Sequence, residues 1–172
     1  MKSIEIGSDE YAEFYAPYIS TLTDEDLIEE LEISVHRLIR FVQEIPMDKF
    51  DYRYAEGKWT IKDILQHLID AERVFSYRAL RFARNDSTEL PGFEENDYAN
   101  VADGCKRSIK ELLTELAIVR QSTLALFKTF SDEVLMRRGV ASGRVMSVRA
   151  LGFIIIGHQN HHQRIFAERY LS

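Results

Sequence analysis

Cysteine is almost missing. Cys105 is the single one in 172 residues, so no internal disulfide can form and a stapled, secreted scaffold is excluded. Proline (three) and glycine (eight) are scarce as well, which argues against loop-rich sandwiches, collagen and low-complexity linkers and favours long uninterrupted elements. No apolar run exceeds four residues, Phe153 to Ile156 being one of them, whereas a membrane-spanning helix needs about 20. The opening MKSIEIGSDEYAEFY carries acids where a secretion signal needs an apolar stretch. Positive charge is in deficit, 22 Lys and Arg against 28 Asp and Glu, with a pI near 5.4. The resulting field repels phosphate backbones and anionic lipid. These absences predict a cytoplasmic protein with neither nucleic acid nor membrane as partner. With 45% hydrophobic residues, one domain over residues 1–172 is expected, since one core serves a chain of this length.

What is present is helical periodicity. Thr23, followed by Asp24, Glu25 and Asp26, reads as an N-cap with acids in the positive first turn of a helix. Leu27, Leu31, Ser34, Val35, Leu38 and Val42 continue it as one stripe until Pro46, predicting a helix over 24–44. Thr60 with Asp63 three residues on is a second cap, and Ile61, Ile64, Leu65, Leu68, Ala71, Phe75, Ala79 and Phe82 extend that helix to about Arg84. Residues 85–105 read as a long acidic loop around Pro91-Gly92-Phe93, either covering a site or bridging two helix ends. Ser108 opens a third helix ending near Phe130. Arg138 to Val145 reads as a turn or small hairpin, and Ser147 caps a fourth helix to about Tyr170. Four helices of roughly 20 residues with long connections predict an all-α four-helix bundle.

The five histidines carry the main functional signal. In Gly157-His-Gln-Asn-His-His-Gln-Arg164, only residues three or four apart can reach a common point. His162 shares its side with Ile155, Ile165 and Phe166, whereas His161 shares its side with Gly157, Arg164 and Glu168. His158 and His162 therefore point into the bundle. Two buried imidazoles need partners, and a metal ion would satisfy both; a hydrogen-bonded pair of core histidines is the plainer account. His67 lies on the shoulder of the second helix's apolar face and is the candidate third ligand. His36, between Glu32 and Arg40, is expected in solvent. Three neutral histidines would leave a position open on Zn²⁺, Ni²⁺ or Fe²⁺, as in catalytic sites.

Glu72 and Asp70, just past His67, are candidates to orient a ligand or act as a base, with Glu72 the candidate catalytic residue; a buried pairing of Glu72 with an arginine such as Arg78 or Arg149 explains it equally well. Arg78, Arg81 and Arg84 read as an anion site or as a solvated helix face, and Trp59 as a core plug where the second helix begins.

Lys58-Trp-Thr-Ile-Lys-Asp-Ile-Leu-Gln-His67-Leu-Ile-Asp-Ala-Glu72-Arg and Gly157-His158-Gln-Asn-His161-His162 resemble the DinB/YfiT-like family, and the resemblance runs over essentially the whole chain. It implies a bundle in up-down-down-up order and a metal-binding triad at His67, His158 and His162. Relatives of this kind include S-transferases that use low-molecular-weight thiols and proteins regarded as metal-dependent hydrolases. The resemblance thus implies one divalent metal as cofactor and a small-molecule substrate, such as a thiol. Exposed aromatic residues near the amino terminus and the relatives together suggest a homodimer. The expected activity is thiol-dependent S-transfer; hydrolysis, or a binding module without turnover, are the alternatives.

Overall fold

The computed structural model describes residues 1–171. The opening 22 residues form short 3₁₀ turns and one helical turn, α1 (Ala16–Ile19). The first long helix, α2 (Leu27–Gln43), starts later than Thr23 predicts. Its cap is Asp26, whose carboxylate accepts from the Ile28 and Glu29 amides. Thr60 caps α3 (Ile61–Ala83) in a reciprocal pair with Asp63. The predicted loop 85–105 instead contains an eight-residue helix, α4 (Glu95–Ala102), with Glu94 as its cap. Ser108 caps α5 (Ile109–Phe127), and Ser131 caps the single turn α6 (Asp132–Leu135). The expected hairpin is present as β1 (Arg138–Ala141) and β2 (Arg144–Ser147) in antiparallel register. Ser147 caps α7 (Val148–Ile165), which runs on through a π-helical turn, Phe166–Tyr170. No helix among the described residues is long and apolar enough to cross a membrane.

The four long helices form an all-α bundle whose directions can be read from side-chain pairs. Gln66 meets Arg107 and Ser76 meets Thr123, so α3 and α5 run parallel. His67 meets His158, while the Trp59 carbonyl just before α3 meets Tyr170 beyond α7, so α3 and α7 run antiparallel. Ser34 meets both Gln159 of α7 and Arg120 of α5, and Lys128 returns to Glu32. The order is therefore up, down, down, up. α2 and α3 each pack against α5 and α7, which puts α2 and α3 on a diagonal.

Two apolar clusters make the core. One gathers Leu31, Phe75, Phe127 and Ile154; the other gathers Leu38, Leu65, Leu116 and Phe166. Between them on the same helices lie Ser34, His67, Glu72, Arg120, His158, Gln159 and His162, all buried. The bundle thus carries a polar layer at mid-height, where unpaired groups would be costly.

Close backbone approach holds α1 over this layer. A Cβ on Gly157 would sit 2.3 Å from the Tyr18 carbonyl oxygen, a contact that backbone must move to relieve. Gly157→Ala is therefore expected to lower stability by about 1–3 kcal/mol through overpacking, read as a lower thermal midpoint. An unchanged midpoint would show that α1 is not seated there.

Candidate metal centre

His67 sits two turns into α3, His158 and His162 one turn apart on α7, and the three side chains converge. His67 Nε2 lies 2.9 Å from His158 Nε2, and His162 Nε2 lies 3.1 Å from the same atom. All three ligand atoms fall within 4.8 Å of one another. Surrounding rings fix their poses: Trp59 packs on His67 at 5.0 Å between centroids, and Tyr18 packs on His158 at 5.0 Å. Trp59 is half-buried and packs both on His67 and against the apolar cluster of Leu38, Leu65 and Phe166. His161 is half-buried outside the cluster and His36 is exposed, as the helical spacing predicts.

Burial sets the protonation state. Desolvation lowers the His67 pKa to about 4. His158 and His162 are pushed well below the usual imidazole range, by burial first and by the neighbouring imidazoles second. All three are neutral at pH 7, and their lone pairs are available. The cluster fits a metal ion for a reason internal to the structure. A proton on one Nε2 can bridge only one neighbour, so three converging Nε2 atoms cannot all be satisfied by each other. One cation accepts all three lone pairs. A tetrahedral ion about 2.1 Å from each nitrogen sets them about 3.4 Å apart, close to the observed 2.9 and 3.1 Å.

Beside His67 and His158 lies a partly open cavity of about 220 Å³, with Phe14, Tyr15, Tyr18, Ala71, Phe75 and Phe93 on its apolar side and Arg78, Ser142, Glu94 and Glu95 on its polar side. Glu95, in the first turn of α4, points a carboxylate oxygen to 3.9 Å from His67 Nε2. Burial, and then the Glu94 charge, raise its pKa. Sequence reasoning missed Glu95, because it lies in an acidic stretch without apolar periodicity.

Glu72 is buried and paired with an arginine, as the second sequence reading expects, but with a different one. Arg120 of α5 grips it with Nε on Oε1 at 2.8 Å and Nη2 on Oε2 at 3.0 Å, and also donates to Ser34 Oγ, the Leu31 carbonyl and Gln159 Oε1. The partner is neither Arg78 nor Arg149; Arg149 instead pairs with buried Glu10. Glu72, Arg120, Ser34 and Gln159 thereby tie all four long helices together one residue from His158. Asp70 accepts from Gln66. The three arginines 78, 81 and 84 part company: Arg81 pairs with Asp86 and Tyr77, Arg84 lies exposed over Phe130, and Arg78 is buried.

Fold and site together define a four-helix-bundle protein with a trihistidine cluster able to hold one metal ion. The chain belongs to the DinB superfamily, whose sequence profile matches residues 30–166. Two curated relatives are similar over 111 residues, one from Geobacillus kaustophilus (strain HTA426) at 26% identity and one from Geobacillus thermodenitrificans (strain NG80-2) at 27%. Each is described as a "putative metal-dependent hydrolase". The alignments cover 63% of this chain and 62% of each relative. In three dimensions the chain is similar to YfiT from Bacillus subtilis, with a TM-score of 0.72 at 20% identity over 83% of this chain and 82% of that one. YfiT is described as a "probable metal-dependent hydrolase with an unusual four-helix bundle topology"; the likeness supports the bundle architecture.

Proposed function

We propose that this chain is a metal-dependent enzyme acting on a small molecule held in the cavity beside His67 and His158, and that its reaction is S-transfer: a low-molecular-weight thiol, as thiolate, forms a carbon–sulfur bond to an electrophile as the electrophile's leaving group departs with the bonding pair. The observation that carries the reading is the convergence of three neutral, buried imidazoles, two of which, His67 and His158, border a cavity with an aromatic wall. His67, His158 and His162 would hold one divalent ion, Zn²⁺, Ni²⁺ or Fe²⁺. Such an ion, when bound, supplies a Lewis acid that favours the anionic form of a sulfur or oxygen group presented to it. The chain's own residues do the rest. Trp59 and Tyr18 hold the imidazoles in place, Phe75 and its aromatic neighbours exclude water, and Glu95 Oε2 is placed to take the proton that a thiol gives up. Glu72 acts on the site through Arg120 and Gln159, as a positioning residue. The apolar walls favour sulfur, a soft and weakly hydrated nucleophile.

Glu95 and the descriptions of the relatives favour hydrolysis as a second reading, with water in place of the thiol. The test is an assay of zinc-loaded protein against monochlorobimane with a panel of low-molecular-weight thiols, alongside activated esters and a His67→Ala control. Metal-dependent, thiol-selective turnover lost in His67→Ala is expected. Ester hydrolysis alone, lost in the same variant, would replace transfer by hydrolysis, and silence in both assays would leave a binding module. A cytoplasmic location and a homodimer complete the proposal; sedimentation at micromolar concentration reads the latter.

A further inference from the structure

Three arginines are almost fully buried, Arg78 and Arg120 at 2% exposure and Arg149 at 7%. Two have a carboxylate: Arg120 has Glu72 and Arg149 has Glu10. Arg78 has neutral partners. Its Nη2 donates to the Pro91 carbonyl at 3.1 Å and to Ser142 Oγ at 3.0 Å, the Tyr15 hydroxyl lies within its reach, its guanidinium lies 5.8 Å from the Phe93 ring centre, and its buried Nη1 meets the distance and angle of a hydrogen bond with none of the described residues. A buried guanidinium with no carboxylate in an ion pair is an expensive arrangement, and here it opens onto the cavity beside His67 and His158, whose wall also carries Glu94 and Glu95, the latter turned toward the His67 end.

The geometry points to Arg78 as the recognition site for an anionic group, a carboxylate, on the small molecule that enters this cavity. The inference rests on the proposed metal-dependent reading for the other end of the ligand. Eleven residues separate His67 from Arg78, which turns an α-helix by three full turns and about 20°. His67, Ala71, Phe75 and Arg78 therefore form one face of α3, and all four line the cavity. The helical rise puts the two end residues about 16 Å apart, and side-chain reach reduces the gap to roughly 10 Å, the span of a chain of about six to eight atoms. The ligand so defined has a metal-directed group, a short apolar middle against Phe75, and a carboxylate at the far end. Ser142 accepts from Arg78, so its own hydroxyl proton remains free for the same carboxylate. Ser142 belongs to the turn between β1 and β2. Leu90 is bonded to that hairpin through the Val140 carbonyl and the Ser142 amide, so hairpin and loop together build the anion end.

Two probes of equal length test this, 6-mercaptohexanoate and the neutral 6-mercaptohexanol, titrated calorimetrically into zinc-loaded protein. Wild type is expected to bind the carboxylate about 10- to 100-fold more tightly, the worth of a charge-assisted hydrogen bond in a dry site. Arg78→Met is expected to bind both probes alike while keeping its zinc stoichiometry. Should Arg78→Met fail to fold, Arg78→Lys, which retains the charge and loses the planar fork, is expected to reduce the preference several-fold. Equal affinities in wild type, or an undiminished preference in the folded variant, would overturn the assignment. Failure of the metal reading looks different: stripping zinc would leave both affinities unchanged, while the ratio between the probes would still report on Arg78.

Discussion

Replacing His158 with alanine is expected to abolish metal binding. Protein prepared without a histidine tag and loaded with zinc should carry about one ion per chain by elemental analysis; His158→Ala should carry almost none, and His36→Ala should match wild type. His158 is the central member of the cluster, since both other Nε2 atoms contact its own. Loss of a ligand should exceed the 10- to 100-fold cost typical of removing a group that only orients one. Retained affinity in a His158→Ala, His162→Ala double variant would refute the site.

The same imidazoles make the metal-free protein acid-sensitive. Burial lowers the His67 pKa from about 6.5 to about 4, so between these values the unfolded chain binds more protons than the folded one. Stability then rises with pH across that window and falls on acidification. From His67 alone the loss amounts to roughly 2 kcal/mol by pH 5, and His158 and His162 shift in the same direction. A urea midpoint that stays flat between pH 7 and pH 4.5 would contradict this. Metal binding, by contrast, should persist below pH 6.5, because the lowered pKa values remove the proton competition that free imidazoles would offer.

Glu72→Ala is expected to lower stability by about 3–5 kcal/mol, because it leaves the Arg120 charge buried and unpaired. For a chain of this size the melting temperature should fall on the order of 10 °C. Glu72→Leu combined with Arg120→Met should recover most of the loss, since apolar isosteres of a buried ion pair often cost little. A Glu72→Ala protein of wild-type stability would refute this account of the pair.

Most helices were legible because their caps are chemically distinct and their stripes long; Thr60, Ser108 and Ser147 cap as expected. The first cap was misplaced at Thr23 because three capping-competent residues, Thr23, Asp24 and Asp26, fall within four positions, and packing of Leu27 selects Asp26. α4 escaped because an eight-residue acidic helix with no buried residue leaves no periodic trace. The histidine pair was legible from its i, i+4 spacing; His67 was legible as a candidate from its place on the shoulder of the helix, but no spacing rule links it to residues about 90 positions away, and the family resemblance supplied that link. Arg120 as the partner of Glu72 was not legible, because 48 residues and a change of helix separate them. Arg78 could have been found: steps of three residues rotate about 60° off a face, so Arg78, Arg81 and Arg84 diverge, whereas 67, 71, 75 and 78 stay aligned.

His67 and His158 meet across 91 residues of chain. Such a contact forms only after two intervening connections and α5 have been laid down, late on any route to the native state. A cation held there would find no binding site in a partly folded chain. Its effect would fall on the rate of unfolding, which it slows, and hardly on the rate of folding. Loaded protein should therefore outlast metal-free protein under a protease that cuts faster than the chain can reclose, even where the two refold at the same speed.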